Sequence, residues 1–537
     1  MKLIQPFDPK SDQPPEDKSD DYLKFLDIFS ELQKYLRIGE SFVFFMDLSK
    51  YYFLSHIIQA FHDTEKKVYD EIKRNSEVVG DYRKFEDRYG SENIPFFLHI
   101  DRLYKQYEAE LNTLIKQFDL PSTPSLEQVK TWFFIHLVGE RIKRAEEGMS
   151  AEFIVGVNRL LDGIVNEDVS DIQRYRDSVR KSIHHTAFVQ NKGYMEGIIA
   201  NLLELLAHLH DKKVAMRDLK PDNMLVAGNK YKYPSFLAYP QEYKIGLIDV
   251  ETAVILPESD KRNIDQPPLG GTPQYATPSH FVSNTLLAHL YDDLPTILHL
   301  QDWHAIVAII YRVVTGLPLF ERTARMVTGI INEMRAHRGK EQERFPAVNE
   351  AFWNSAVREF NEKVVQNQRL FKSVNVHIRD GAKKMFQEIA SDERQRLADE
   401  IEQRLTSLSI PMSAKDRQLL ISSSHQKIKS FRKKWESKAS GQKRQIDVPQ
   451  IILLLRDLEG LKFQLELQTQ MLQLLDQPLA SASARTILEF MSNMVSNRMH
   501  GMHWGYIPSQ NSLELADFAS SIGESSSQTT IAVTSET

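Results

Sequence analysis

The stretch VAMRDLKPDNMLV, from Val214 to Val226, constrains the fold more than any other part of this sequence. The residues before it repeat apolar side chains every three or four positions, which is typical of a helix with one buried face. The runs MLVAG and YKIGLIDVETAV after it have the length and composition of short strands. The sequence therefore predicts a polar loop between a buried helix and two strands. The apolar helix positions are Met195, Ile198, Ile199, Leu202, Leu203, Leu206 and Leu209.

The predicted loop carries three polar groups that suit phosphoryl transfer. Asp218 can orient an attacking hydroxyl and accept its proton. Lys220 can offset negative charge on a phosphoryl group as it moves, and Asn223 offers the oxygen ligand that Mg²⁺ prefers. The spacing of an acid, a cation and an amide within six residues therefore points to a phosphotransferase site.

Three further motifs follow this loop along the chain. LIDVETA places Asp249 after a strand, GGTPQYATPS contains Thr272, and DWHAIVAIIYRVVTGLPLF begins with Asp302. Together with RDLKPDN, and in this order, they resemble the larger lobe of the eukaryotic-type serine/threonine protein kinase superfamily. The resemblance runs from about residue 195 to about residue 320, which is about a quarter of the chain.

The resemblance implies a role for each matching residue, with ATP and Mg²⁺ as cofactors and a protein as substrate or signalling partner. Asp218 would be the base, Lys220 would contact the transferred phosphoryl group, and Thr272 would bridge the two. Asn223 and Asp249 would bind Mg²⁺-ATP. The resemblance also implies three supporting residues: Asp302 as the anchor of the loop backbone, Arg217 as the partner of a phosphorylated activation segment, and Ser259 within that segment.

The small lobe of the family is atypical or truncated in this sequence. The sequence contains neither a G-x-G-x-x-G loop nor a V-A-I-K-like strand before the catalytic loop. The strand-like run SFVFFMDL is interpreted as the entry to the hinge between lobes, with Met46, Asp47 and Leu48 as nucleotide-binding hinge residues.

Four positions depart from the family pattern inside the larger lobe. Met216 replaces a histidine and Val250 a phenylalanine, two positions that pack together in the family, and both replacements remain apolar. Glu251 replaces a glycine and so restricts the backbone there, whereas Ser279 replaces a glutamate that pairs with arginine in the family. None of these changes removes a group expected to contact phosphate or metal.

The predicted fold class is mainly α with a small β component: a protein-kinase-like C-lobe with a large helical insertion and a C-terminal helical bundle. The run Gln450–Asp476 approximates a 3.5-residue apolar repeat, for which packing inside a bundle is favoured over an intermolecular coiled coil. The predicted divisions are a disordered leader (1–21), a hinge-like remnant of the small lobe (22–60), the insertion (61–190), the C-lobe (191–345), a helical region (346–505) and a disordered Ser/Thr-rich tail (506–537).

Composition excludes several other classes of function. The chain has no cysteine, so thiolate catalysis and cysteine-ligated metals are excluded, and its formal charge of -6 makes nucleic acid an unlikely partner. The apolar run beginning at Trp303 contains His304 and Arg312 and is interpreted as a buried helix rather than a membrane span. The first residues lack the apolar core of a signal peptide, and a cytoplasmic location is expected.

Two other functions stay open at this point beside an ATP- and Mg²⁺-dependent serine/threonine kinase. The first is a pseudokinase that binds partners through its helical regions without transferring phosphate. The second is one part of a split kinase whose small lobe comes from another chain. Substrate, catalytic activity and oligomeric state do not follow from the sequence.

Overall fold

The computed structural model describes residues 51–77, 79–118, 120, 123–143, 149–257, 264–406, 413–439 and 448–500. The predicted hinge residues Met46, Asp47 and Leu48 lie outside the described residues. So do Ser259 and the predicted leader and tail, 1–21 and 506–537.

The described residues are mainly helical with short strands, as predicted. The helices are α1 (Leu54–His62), α2 (Glu65–Arg74), α3 (Tyr82–Tyr89), α4 (Ile94–Phe118), α5 (Leu126–Leu137), α6 (Ala151–Glu167), α7 (Val169–Asp211), α8 (Asn284–Leu290), α9 (Leu294–Thr315), α10 (Glu321–Ala336), α11 (Glu341–Gln366), α12 (Gln368–Ser373), α13 (Asp380–Thr406), α14 (Ala414–Ser422), α15 (His425–Ala439), α16 (Val448–Leu475) and α17 (Ala484–His500). The strands are β1 (Tyr51–Phe53), β2 (Val214–Ala215), β3 (Met224–Ala227), β4 (Lys244–Leu247), β5 (Val254–Ile255), β6 (Asn375–His377) and β7 (Ser481–Ser483).

The helices α2 to α6 and the first half of α7 enclose a core of their own that is rich in aromatic rings. Phe85 stacks on Phe97 with ring centroids 4.6 Å apart, and Tyr107 stacks on Phe133 at 5.7 Å. Large rings at helical spacing bury much apolar area per residue, which lets a short bundle be stable. This bundle lies in the segment predicted as a helical insertion.

The 43-residue helix α7 joins this bundle to the main core. Its first half buries Tyr175 in the bundle, and its second half buries Leu202 in the main core. The predicted boundary between residues 190 and 191 therefore falls inside one continuous helix. Gly197 is required by packing rather than by a bend, because a Cβ there would lie 2.0 Å from the carbonyl oxygen of Leu237.

The helix α1 belongs to the main core. Leu54, Ile57 and Ile58 are buried in the same core as α9, and the Nε2 atom of His62 lies 3.0 Å from the carbonyl oxygen of Val313. The helix continues to His62, past the predicted boundary at residue 60. Its apolar face is buried against the rest of the chain, which explains its helical form.

The central helix α9 is long and apolar enough to cross a membrane by length and composition alone, but 89% of its most apolar window is buried inside the protein. Its interpretation as a buried helix agrees with this burial. The helix begins at a capped turn, where Asp293 accepts hydrogen bonds from Thr296, and ends at Gly316, which has a φ of 75°. A left-handed residue of this kind ends a helix most easily when it is glycine.

The strands β3 and β4 form an antiparallel hairpin, and β1 adds to its other edge, giving the order β1-β3-β4. The register pairs Met224 with Leu247, so the start of β3 lies beside the end of β4. The Ile248 N–H continues the ladder to the carbonyl oxygen of Asn223 at 3.0 Å. The hairpin therefore brings the residues before β3 next to those after β4.

The C-terminal helices form a second bundle in which the predicted repeat is buried within the chain. Leu454, Leu458 and Leu461 of α16 pack in one core with residues of α13, α14 and α15. Gln468, which interrupts the repeat, is also fully buried, and its Nε2 atom lies 3.2 Å from the sulfur of Met494 on α17. The apolar face of this helix is thus covered by neighbours in the same chain.

His304 of α9 makes the stability of the main core sensitive to acid. Its ring is buried and stacks on Phe320 at 4.5 Å, and within the part of the chain that is described its Nε2 atom has no hydrogen-bond partner. Burial lowers the pKa of His304 to about 3. The unfolded chain therefore binds a proton that the native chain does not, and the contribution of this ring to stability is lost as pH falls below about 6.5.

We expect His304→Phe to remove this acid sensitivity, since phenylalanine preserves the stacked ring. Relative to the native sequence, the variant should gain about 2 kcal/mol in free energy of unfolding between pH 7 and pH 5. Urea unfolding at both pH values measures the gain. His208→Phe, at an exposed position of α7, is the control. An equal gain in the two variants would contradict the assignment to His304.

Candidate active site

One carboxylate of the central helix α9 binds the backbone of the loop that follows β2. Asp302 accepts the backbone N–H of Met216 through one oxygen and that of Arg217 through the other, both at 2.8 Å. Asp302 is buried, and Arg217 has a φ of 68°, in the left-handed region. Two directed bonds to consecutive N–H groups thus specify the backbone path that leads into Asp218. The structure places Asp302 where an anchor of this loop is expected.

The Asp218 carboxylate is the centre of the site and receives donors on both oxygens. Oδ1 accepts the backbone N–H and the hydroxyl of Thr272, each at 3.0 Å, and Oδ2 accepts the Lys220 ammonium at 3.0 Å. Thr272 and Lys220 are therefore linked through the carboxylate. These bonds fix the orientation of Asp218 before any substrate arrives, as a general base requires.

Asn223 and Asp249 lie close to each other because the β3–β4 hairpin joins their segments, and Asn223 also lies close to the Asp218 carboxylate. The Asn223 amide nitrogen donates to the Asp218 carbonyl oxygen at 3.2 Å and lies 3.4 Å from Oδ2 of Asp249. Asp249 has a φ of 60°, which is uncommon for a residue with a side chain. The structure thus brings together all five polar residues that the sequence predicts for the site, between positions 218 and 272.

Comparison with known families agrees with this geometry. A family model described as the protein kinase domain matches residues 167–408. Residues 167–408 of this chain therefore carry a protein kinase domain. No curated protein matches the chain. The matched segment begins before the predicted C-lobe, at a position close to the start of α7, and ends beyond it, after α13.

The oxygen atoms of the kinase site fit a magnesium ion. Asn223 uses its amide nitrogen for the contacts to Asp218 and Asp249, which leaves its carbonyl oxygen as the group that can bind a cation. Asp249 adds a carboxylate, and Mg²⁺ in phosphate sites is commonly bound by one or two such side chains together with phosphate oxygens. The donor set therefore suits the metal that the family implies.

The predicted pairing of Arg217 with a phosphorylated activation segment stays a prediction, because Ser259 lies outside the described residues. Only 2% of Arg217 is exposed, and its side chain points into the core. Nε donates to Oε1 of Gln301 at 3.1 Å, and one terminal nitrogen contacts the carbonyl oxygen of His280 at 3.4 Å. In the described residues the guanidinium is therefore held within the core.

Arg217 and Asp302 have opposite pKa shifts with the same cause. Burial raises the pKa of Asp302 to about 7, against the lowering effect of its two N–H bonds and of Arg217. Burial also lowers the pKa of Arg217 to about 10, and Asp302 opposes that change. Removing either partner would leave a polar group buried without compensation, so the loop and the helix beneath it are held as one unit.

At Ser279, where the family has a glutamate paired with arginine, the structure has a hydrogen bond to an uncharged amide. Its hydroxyl accepts from the Nε2 atom of Gln301 at 2.8 Å, and Gln301 in turn accepts from Arg217. An amide therefore stands between the hydroxyl and the guanidinium, where the family has an ion pair. The sequence analysis did not identify Gln301 as a residue that supports the site. The one feature of the sequence that could have indicated this role is its position directly before Asp302.

Of the two apolar replacements, the structure buries only Met216. Met216 is buried, whereas 47% of Val250 is exposed. The segment after Asp249 instead forms a turn, in which the Thr252 hydroxyl donates to the Met216 carbonyl oxygen at 2.8 Å. Glu251 in this turn is exposed. The hydroxyl of Thr252 thus joins this turn to the catalytic loop.

Proposed function

We propose that this chain transfers the γ-phosphoryl group of Mg²⁺-ATP to a serine or threonine hydroxyl of a protein. The observation that carries the proposal is the convergence of an acid, a cation, an amide and a second acid around one point. Asp218, Lys220, Asn223 and Asp249 are linked to one another by contacts of 3.0 to 3.5 Å. Phosphoryl transfer depends on positioning and on charge stabilisation, and these groups supply both.

Asp218 orients the acceptor hydroxyl and takes its proton as the oxygen attacks phosphorus. Thr272 holds Oδ1 of this carboxylate through two donors, so Oδ2 is the oxygen that turns toward the incoming hydroxyl. Lys220 is bonded to Oδ2, and it can shift toward the phosphoryl oxygens when substrate is present. Its charge then offsets the negative charge that builds up on those oxygens.

Asn223 and Asp249 would hold magnesium, which when bound neutralises phosphate charge and aligns the donor. Both residues are supported by the hairpin rather than by a flexible loop, because the Ile248 N–H donates to the carbonyl oxygen of Asn223. This bond holds the backbone of the two segments together. A site held on paired strands is more precise than one on separate loops.

The direct test is transfer of labelled phosphate from ATP to protein by the full chain in Mg²⁺. Binding is measured in parallel by thermal unfolding with and without Mg²⁺-ATP. Nucleotide at about a hundred times its dissociation constant should stabilise the fold by about 2.7 kcal/mol. We expect Asp249→Ala to lose both responses and the neighbouring exposed Asp222→Ala to retain them. A native chain with neither response would refute the proposal.

The exposure of Val250 favours a second candidate, a pseudokinase scaffold. In this reading the exposed side chain beside Asp249 belongs to a partner surface, and the helical bundles bind other proteins. Such a chain would give no labelled product under any condition. Thermal stabilisation by nucleotide without transfer would indicate a scaffold that still binds ATP.

A further inference from the structure

A groove opens directly beside the candidate active site. It has a volume of about 1200 Å³ and lies between the segment Leu269–Gly271, helix α8 and the C-terminal end of α10 with the turn after it. Gly271 directly precedes Thr272, whose N–H and hydroxyl are bonded to Asp218. A chain segment in this groove, here called the basic groove, therefore lies next to the reacting carboxylate.

The basic groove combines an apolar floor with an excess of positive charge. Phe281, Leu286 and Ile331 contribute to the floor. Two guanidinium groups, those of Arg335 and Arg338, line it together with one carboxylate, Glu341. Within the described residues neither arginine has a carboxylate partner, and Glu341 accepts the Gly339 N–H at 2.7 Å. The groove therefore suits a segment that alternates apolar and acidic side chains.

The residues that follow α17 have this composition. From Gly501 to Thr537 the chain contains no lysine or arginine and four acidic residues, Glu514, Asp517, Glu524 and Glu536. The run SLELADF, Ser512–Phe518, alternates apolar and acidic side chains over most of its length. Its charge is opposite to that of Arg335 and Arg338.

The end of α17 lies close to the basic groove. The carbonyl oxygen of Met499 accepts from the Tyr291 hydroxyl at 2.7 Å and from the Asn349 amide at 2.9 Å. Tyr291 directly follows α8, which forms one wall of the groove, and His289 of that helix lines it. Asn349 lies about two helical turns, or about 12 Å, along α11 from Glu341. The residues from 501 to 512 can span such a distance several times over when extended.

We propose that the segment Ser512–Phe518 of this chain binds in its own basic groove. Glu514 and Asp517 pair with Arg335 and Arg338, and the leucines and Phe518 cover the apolar floor. Binding within the same chain needs little affinity, because the tether holds the segment at a high effective concentration. If the proposed kinase function holds, the segment also competes with protein substrates for this groove.

The absence of cysteine makes a direct test possible. We would introduce Ser512→Cys together with Gln342→Cys in the groove, and treat the full chain with a short bismaleimide cross-linker. The matched control pairs Ser512→Cys with Gln426→Cys, an exposed position of α15. We expect an intramolecular product that forms about tenfold faster with the groove cysteine than with the control. Equal rates would overturn the proposal, and so would a covalent dimer, which means binding between chains.

Charge exchange then tests the pairing. Arg335→Glu with Arg338→Glu should slow cross-linking to the control rate, and adding Glu514→Arg with Asp517→Arg should restore it. Lys433→Glu with Lys434→Glu, on the exposed face of α15, should change nothing. Failure of the restoring pair in a chain with a native thermal transition would overturn the proposal. The cross-linking rate is measured without nucleotide. Its result is therefore independent of whether the chain transfers a phosphoryl group.

Discussion

Asp218→Asn is expected to lower the rate of phosphoryl transfer about 100- to 10,000-fold, the usual contribution of a positioned general base. An amide cannot take the proton of the acceptor hydroxyl. Its NH₂ group would also face either the two Thr272 donors or the Lys220 ammonium, each of which now donates to a carboxylate oxygen at 3.0 Å. Both the chemistry and the orientation of the side chain are lost.

The measurement is incorporation of labelled phosphate at saturating Mg²⁺-ATP, with nucleotide binding followed by thermal shift. Asp222→Asn is the control, because it makes the same chemical change at an exposed position four residues away. We expect the control to retain activity and both variants to bind nucleotide. Equal incorporation by Asp218→Asn and the native chain would show that another residue is the base.

Glu359→Ala is expected to destabilise the fold by about 3 to 5 kcal/mol, because it uncaps the helix α10 that forms a wall of the basic groove. One carboxylate oxygen accepts the N–H groups of Glu321 and Arg322, and the other accepts the N–H and hydroxyl of Thr323, all at 3.0 Å. Lys363 pairs with the same carboxylate at 3.1 Å. The substitution leaves these donors and a partly buried cation without their acceptor.

The electrostatics of Glu359 agree with this role. Burial alone would raise its pKa, but the N–H groups of Arg322 and Thr323 and the Lys363 ammonium outweigh burial, and the pKa lies below its ordinary range. The charged form is therefore the one that the fold stabilises. A negative charge at the N-terminus of a helix also interacts favourably with the helix dipole.

Urea unfolding of Glu359→Ala and of Glu362→Ala measures the effect. Glu362 lies one turn after Glu359 on helix α11. It pairs with Arg322 at the surface, where 54% of the Glu362 side chain is exposed. An exposed pair of this kind contributes about 0 to 1 kcal/mol. Similar losses in the two variants would mean that the buried cap is not the source of stability.

Sequence reasoning found the candidate site because the signals for it are local. The predicted loop Arg217–Asn223 and the predicted strand that leads into Asp249 depend on residue types within a few positions of each other. In the structure, the antiparallel register of β3 and β4 brings Asn223 next to Asp249. The predicted kinase family and the predicted mainly helical fold are both confirmed.

Other features could not be predicted because their partners are distant in the chain. The start of α10 has Phe320 at its cap position, with no side-chain hydrogen bond, and its acceptor comes from a residue 38 positions after Glu321. The buried course of Arg217 depends on Gln301 and His280, and the exposure of Val250 depends on which elements pack around it. None of these contacts leaves a pattern at helix or strand spacing.

By itself, the sequence determined which polar residues form the candidate site and that the chain is mainly helical, since both depend on residue types and on short periodic spacings. Only the tertiary structure decided that α7 runs unbroken from one bundle into the main core, that Arg217 supports the loop from within, and that a basic groove lies beside Asp218. The reason is physical: burial and charge pairing are properties of surfaces assembled from distant segments, and folding alone brings those segments together.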